Sequence, residues 1–203
     1  MEIILVFLFS YFSGSIPFGL IFTRLFINQD IRKIGSGNIG ATNVLRTGNK
    51  FVALITLIFD ILKGSIPIII SQQFFPELLQ LSALVTFLGH LFPIWLKFKG
   101  GKGVATYLGI LLALSNELGI LFIFSWILLT LIFKYSSISS MFSCLTVLIV
   151  TVFRENTVRL IDPNISYNND LQLILFTFLI LIIFTHKKNI SNLRNKTEQK
   201  IKL

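Results

Sequence analysis

Charge is scarce in this 203-residue chain: Asp, Glu, Lys and Arg supply 13% of it, where soluble domains carry roughly one-quarter. With 54% of residues hydrophobic and 21 Phe, a pair of soluble domains is excluded and a single membrane domain spanning 1–203 is expected. Cysteine is nearly missing. Cys144, alone within an apolar run, excludes an internal disulfide and reads as a small core hydrophobe. Acidic residues are half as many as basic ones, leaving a net charge of +9. This excess sits between the apolar runs and on the tail, where it suits anionic lipid headgroups or an anionic substrate. No basic face is interleaved with exposed aromatics, so nucleic acid is not an expected partner. There is no internal repeat. No cleavable signal is expected, because Glu2 stands where a basic segment is needed and no small-residue cleavage site follows. The run at 3–22 is therefore kept as a first transmembrane helix, kinked near Gly14 and Pro17.

What is present is a series of apolar runs at 3–22, 51–71, 81–96, 104–114, 118–133, 138–153 and 171–185. They predict an all-α polytopic membrane protein with about seven transmembrane helices. Several runs fall short of the roughly 20 residues of a full span. The shortest, 104–114, fits a half-helix or a re-entrant segment covered by its neighbours. Lys and Arg bias in short loops sets orientation. With the N-terminus outside, Arg24, Arg32, Lys33, Arg46, Lys50, Lys97, Lys99, Lys102, Lys134 and the basic tail all fall in the cytoplasm. Arg154 and Arg159 alone sit opposite, in an expected outer loop with Glu155, Asp162, Asp170 and an Asn-rich stretch at 164–169. Residues after Arg194 are expected to fray.

Three polar clusters interrupt the apolar pattern, and this orientation puts all of them on one face. The first contains Gly35, Ser36, Gly37, Asn38, Gly40, Thr42 and Asn43, followed by Arg46. The second runs from Lys97 through Gly100, Gly101, Lys102 and Gly103, and the third is His186 with Asn189. Glycine exposes backbone N–H groups and Lys or Arg adds positive charge, so the first two are suited to phosphate oxygens. Gly35, Gly37 and Gly40 have the spacing of a dinucleotide fingerprint, but that motif needs a preceding strand and here a membrane helix precedes it. A flexible turn is the plainer alternative, although turns rarely combine so many glycines with Ser, Asn, Thr and Arg. The second cluster is not a magnesium-nucleotide loop, since Gly103 occupies the Ser/Thr position. Its plainer reading is a cytoplasmic basic anchor.

Other polar residues stand singly. Asp60 and Lys63 lie three apart inside an apolar run, on one helix face. Charges there demand pairing, so they form either an internal ion pair or a support for the site. His90 reads as a buried interhelical histidine. His186 ends the last helix and shares a side with Asn189 three residues on.

Taken in order, these segments resemble a known family. Gly-Ser-Ile-Pro-Phe-Gly at 14–19, the 35–46 cluster, Asp-Ile-Leu-Lys-Gly at 60–64 and Gly-His-Leu-Phe-Pro at 89–93 are similar to the bacterial acyl-phosphate:glycerol-3-phosphate acyltransferases, the PlsY family. So are Phe-Lys-Gly-Gly-Lys-Gly-Val-Ala-Thr at 98–106 and His186-x-x-Asn189 with Arg194 and Glu198. The resemblance implies transfer of a fatty acyl group from acyl phosphate to the 1-hydroxyl of sn-glycerol 3-phosphate at a bacterial inner membrane, giving lysophosphatidic acid and phosphate without cofactor or metal. It also implies membrane lipid as surroundings and contact with the enzyme that makes acyl phosphate. Acyl phosphate carries a good leaving group, so positioning and charge stabilisation can carry much of the barrier. On this reading Ser36, the adjacent loop amides and Arg46 would bind one phosphate, and the resemblance implies that Thr42 and Asn43 complete that part of the site. Lys102 with Gly100, Gly101 and Gly103 would hold the other, and Asn189 would orient a substrate. The proton acceptor is left open between His186 and a substrate phosphate. Asp60, Lys63, His90 and Glu198 are supporting residues. Acyl-CoA-dependent enzymes use His-x4-Asp, whereas His90 has Trp95 and His186 has Ser191 at that position.

Two other classes compete. An organic-phosphate transporter would place its site near the midplane at a repeat interface, and no repeat is visible. A non-catalytic lipid-binding protein would have little use for glycine-rich cationic clusters.

Overall fold

The computed structural model describes residues 1–161 and 170–201. Among them the regular structure is helical, and the chain divides into two compact units, Met1–Asn116 and Glu117–Leu203.

The first unit opens with α1 (Glu2–Ser15) and α2 (Phe18–Ile27), one apolar stretch interrupted at Pro17. Proline offers no N–H, so the helical ladder fails and Leu20 and Ile21 both donate to the Pro17 carbonyl at 3.0 Å. A short helix, α3 (Ala41–Leu45), precedes α4 (Lys50–Phe74), whose start is capped by Asn49 accepting from the Val52 amide at 3.0 Å. Pro67 interrupts the ladder inside α4 and leaves the Lys63 carbonyl without its usual donor. Ser13 of α1 donates to that carbonyl at 3.3 Å, and Lys63 in turn donates to the Ile16 carbonyl beside the first break at 2.7 Å. Each interruption is thus answered from the other helix, as a dry environment requires. The unit is completed by α5 (Leu79–Leu91) and α6 (Val104–Leu114).

Small residues set the spacing between these helices. A Cβ on Gly14 or Gly89 would strike the backbone of Thr86 or Tyr11, and one on Gly64 or Gly109 would strike that of Thr106 or Ile61. Such close approach supplies packing where lipid provides no hydrophobic drive. Ser10 and Ser82 hydrogen bond at 2.9 Å, and Gly14 meets Thr86 one turn further along both chains, so α1 and α5 run side by side in the same direction.

The second unit holds α7 (Asn116–Phe133), α8 (Ser136–Ile161), α9 (Asp170–Thr185) and α10 (Lys187–Arg194). Polar pairs tie α7 to α8: Trp126 donates to Ser140 at 3.1 Å and Thr130 to Ser139 at 2.8 Å. Outward faces of both units are apolar, with Leu25, Phe124 and Phe153 about two-thirds exposed. Water would oppose such surfaces, and lipid accepts them.

Each predicted apolar run is a helix or most of one. Among the described residues five stretches are long and apolar enough to cross a membrane, and a sixth is reached if α9 and α10, bent by 57°, count as one. The remaining run, α6, has 11 residues. At 1.5 Å per residue it is about 16 Å long, half a hydrocarbon core. Two expectations are corrected. Arg154 and Glu155 belong to α8 rather than a loop, with Arg154 paired to Glu117 at 2.8 Å. The tail after Arg194 is tied down rather than frayed, since the Ile201 amide donates to the Lys134 carbonyl at 2.8 Å. The Asn-rich 164–169 stretch and Asp162 lie outside the described residues, as does the Arg159 side chain.

Candidate active site

The first polar cluster is a rigid loop. Asp30 starts it, accepting from the Arg32 amide at 3.1 Å and from its guanidinium at 2.9 and 2.6 Å. The Arg32 guanidinium, with Arg24 behind it, holds the Asp30 carboxyl well below the ordinary carboxylate range. The Arg32 side chain is correspondingly harder to deprotonate. Asn43 is the strut of the loop. Its Nδ2 donates to the carbonyls of Ile34 at 2.9 Å, Asn38 at 2.8 Å and Ile31 at 3.2 Å, while Oδ1 accepts from the Ser36 amide at 3.0 Å and from Arg46 at 3.4 Å. A buried amide so engaged has little left for a substrate. Asn43 therefore shapes the loop that carries Ser36 and Arg46. Gly35 and Gly37 take φ of 55° and 74°, a region that favours glycine. A Cβ on Gly35 would also run into Asn43 Oδ1. Around this frame Gly35, Gly37 and Arg46 are exposed, while Ser36, Asn38, Gly40 and Thr42 are half-buried at the surface of the loop.

The second cluster joins α5 to α6. The Gly100 amide donates to Leu91 O at 3.0 Å and the Gly101 amide to His90 O at 3.2 Å. Both glycine amides thus satisfy the end of α5. A Cβ on Gly101 would collide with His90 Nε2, and one on Gly100 with the His90 and Leu91 carbonyls. His90 Nδ1 lies 3.1 Å from Thr106 Oγ1 in the first turn of α6. His90 therefore pins both strands of the loop that carries Lys102. Gly103, at φ 83°, caps α6 with Lys102 immediately before it. Positive charge at a helix N-terminus is a setting for anions.

The first cluster rests on a buried core. Leu20, Ile31, Ile39, Val44, Val52 and Ala53 are buried together under the first loop, and Leu96 from the approach to the second packs against them. Behind them Asp60 and Lys63 form an ion pair at 2.6 Å with both side chains almost fully buried. Lys63 spends a further proton on Ile16 O. The pair is internal and fastens α4 to the break between α1 and α2.

In the second unit His186 stands between α9 and α10, buried, with Nδ1 2.7 Å from the Ile182 carbonyl. A carbonyl only accepts, so Nδ1 carries a hydrogen there. Asn189, also buried, donates to Glu198 Oε1 at 2.6 Å, which accepts from Ser137 at 2.9 Å as well; Asn192 reaches Oε2 at 3.3 Å. Glu198 thus ties Asn189 to the start of α8. Sequence reading passes over Thr106 and Ser137, whose partners lie 16 and 61 positions away. No local spacing signals them.

Comparison with known proteins is decisive at this point. A family model described as glycerol-3-phosphate acyltransferase matches residues 4–196. The chain belongs to the glycerol-3-phosphate acyltransferase family. Among curated members, the glycerol-3-phosphate acyltransferase of Pelagibacter ubique is 48% identical over the full length of both chains. That of Mesorhizobium japonicum is 46% identical, covering 98% of this chain and 96% of its own. Crystal structures of PlsY, an integral membrane glycerol 3-phosphate acyltransferase, superpose with TM-scores of 0.89 for a glycerol 3-phosphate form and 0.86 for a lysophosphatidic acid form. They are 30% and 29% identical, and each alignment covers all of this chain and 96% of the other. The acyltransferase is therefore a multi-pass membrane enzyme, and its family activity belongs to phospholipid synthesis.

Proposed function

We propose that the acyl donor is acyl phosphate and that the enzyme forms 1-acyl-glycerol 3-phosphate and inorganic phosphate at the cytoplasmic face of a bacterial inner membrane. The observation that carries this reading is two cationic loops in one compact unit, one with Ser36 and Arg46 over a buried core, the other with Lys102 and preceded by Leu96, which packs against the same core. Donor and acceptor each bear one phosphate, so two cationic loops match the pair. The 1-hydroxyl of glycerol 3-phosphate attacks the acyl carbonyl, the new ester C–O bond forms, and the anhydride C–O bond breaks with its electrons leaving on phosphate. Arg46 can grip one phosphate as a planar fork, whereas Lys102 offers a compact charge at the start of α6 to the other. Charge grows on the departing phosphate as the bond breaks, and a fixed cation there lowers the barrier. The family resemblance leaves the hydroxyl proton to His186 or to a substrate phosphate, with His186 steadying a phosphate oxygen in the second case. Asn189, held by Glu198, orients a substrate, and Asn43 and His90 keep the two loops in shape. The acyl chain lies between helices on the lipid side.

The test is donor choice by purified enzyme. Acyl phosphate with glycerol 3-phosphate should yield lysophosphatidic acid in the presence of chelator, and acyl-CoA should be a poor substitute. Preferential use of acyl-CoA, or an acyl ester trapped on Ser36, would refute the reading.

A further inference from the structure

The turn between Leu91 and Gly100 presents apolar and basic side chains to the outside in a way the acyl-transfer chemistry does not use. Phe92, Ile94, Trp95 and Phe98 are 36%, 49%, 58% and 58% exposed, and Lys97 and Lys99 are exposed between and beside them. This exposure is built, not slack. Trp95 Nε1 donates to Ser15 Oγ at 2.8 Å while its ring lies 5.8 Å from that of Phe12. Tyr11 donates to the Phe92 carbonyl at 2.7 Å, and the Phe98 amide to Pro93 O at 3.0 Å. Lys97 and Phe98 both hold positive φ, 52° and 60°, a conformation costly for residues with a Cβ. The fold retains two such residues in succession and thereby turns both side chains outward.

Aromatic rings with flanking lysines suit the boundary between hydrocarbon and headgroups, where the rings dip inward and the ammonium groups reach phosphate. We propose that residues 92–99 form an interfacial hook that binds anionic lipid headgroups through Lys97 and Lys99, and that lipid seated there holds the neighbouring Lys102 loop for capture of the membrane-borne donor. The partner is an anionic bilayer surface, favoured over a protein because the apolar and charged side chains alternate within a few residues and are braced against α1, a lipid-spanning helix. Occupancy stiffens the loop directly, since Gly100 and Gly101 follow the hook and are clamped to the end of α5. The hook's lipid binding is independent of which acyl donor the enzyme uses; its effect on donor capture rests on the acyl-phosphate reading.

Two measurements separate these points. Purified enzyme is exchanged into phosphatidylcholine containing spin-labelled phosphatidylglycerol, and the motionally restricted fraction is compared for wild type and for Lys97→Gln/Lys99→Gln. Each interfacial lysine strengthens association severalfold, so the double variant should lose about an order of magnitude in preference for the anionic label. Added salt should erode the wild-type preference toward that of the variant. In vesicles rich in phosphatidylglycerol the variant should show a raised KM for acyl phosphate with KM for glycerol 3-phosphate unchanged. In phosphatidylcholine alone, the two enzymes should have equal kinetics. Trp95→Ala provides a second variant that weakens seating without altering charge. An unchanged preference for phosphatidylglycerol in the double variant overturns the proposal. A raised KM for glycerol 3-phosphate in phosphatidylcholine does so too, by making the lysines part of the soluble-substrate site. An effect seen only when the acyl-phosphate-producing enzyme is added would mark a protein-docking face and equally overturn it.

Discussion

Lys102 and Arg46 carry the charge that the proposed chemistry needs; Arg46 is exposed and Lys102 half-buried, and neither belongs to the apolar core. Lys102→Ala or Arg46→Ala should leave the protein folded in the membrane and lower kcat/KM by about 10²–10³-fold, the range for a lost transition-state donor. Lys102→Arg should restore only part of the rate, because a planar fork replaces a point charge. Normal accumulation with near-normal turnover would show that the loops are merely flexible turns. Gly101 leads to a different expectation from the one its sequence context suggests. A phosphate-cradling glycine would be damaged by a Cβ facing the ligand, whereas this one faces the His90 ring. Gly101→Ala should therefore cost activity in the wild type and far less in a His90→Ala background, where the obstruction is gone. Additive losses in the double variant, measured as kcat/KM, would return Gly101 to the ligand.

Among the elements, α4 shows most clearly what the sequence discloses. Its length, its apolar face and the presence of Asp60 and Lys63 on one side were readable from spacing alone. What the pair does was not, because the deciding partner is the Ile16 carbonyl, 47 residues away and available only because Pro17 breaks the first span. Removing one member strands the other in a dry interior, so Asp60→Asn or Lys63→Met should destabilise by about 3–5 kcal/mol. Thermal unfolding in detergent measures this, and replacing both together should cost less than either alone. Equal or greater loss in the double variant would mean that the charges act independently. The bounds of α6 coincide with its predicted run because Gly103 and Ser115 punctuate both ends. By contrast the bracing that Asn43 gives its loop was not readable, since Gly, Asn and Thr signal a phosphate loop equally well whether the amide faces anion or backbone. Its hydrogen bonds to Ile31, Ile34 and Asn38 arise only after the loop has closed. Glu198 illustrates the same limit, because a polar, glycine-poor tail reads as loose until Ser137 and Asn189 converge on it.

At the scale of the whole molecule, hydropathy disclosed the architecture because lipid imposes one rule on every span, namely long apolar helices with their backbone groups paired internally. Orientation rests on the lysine and arginine bias alone. In a Cys144→Ala background, a cysteine at Gln73 should react with an impermeant reagent added outside intact cells, and one at Lys99 only after permeabilisation. Outside labelling at Lys99 would invert the face on which both loops open. The central claim is that two cationic loops bring a phosphate-bearing acceptor to an acyl phosphate and that the acyl carbon is transferred directly. The most direct measurement follows the oxygen atoms during turnover by purified enzyme, with heavy oxygen placed at the anhydride bridge of the donor. The account predicts that all of the label leaves with inorganic phosphate and none enters lysophosphatidic acid. Label in the product ester, or no turnover of acyl phosphate by the purified chain, would contradict it.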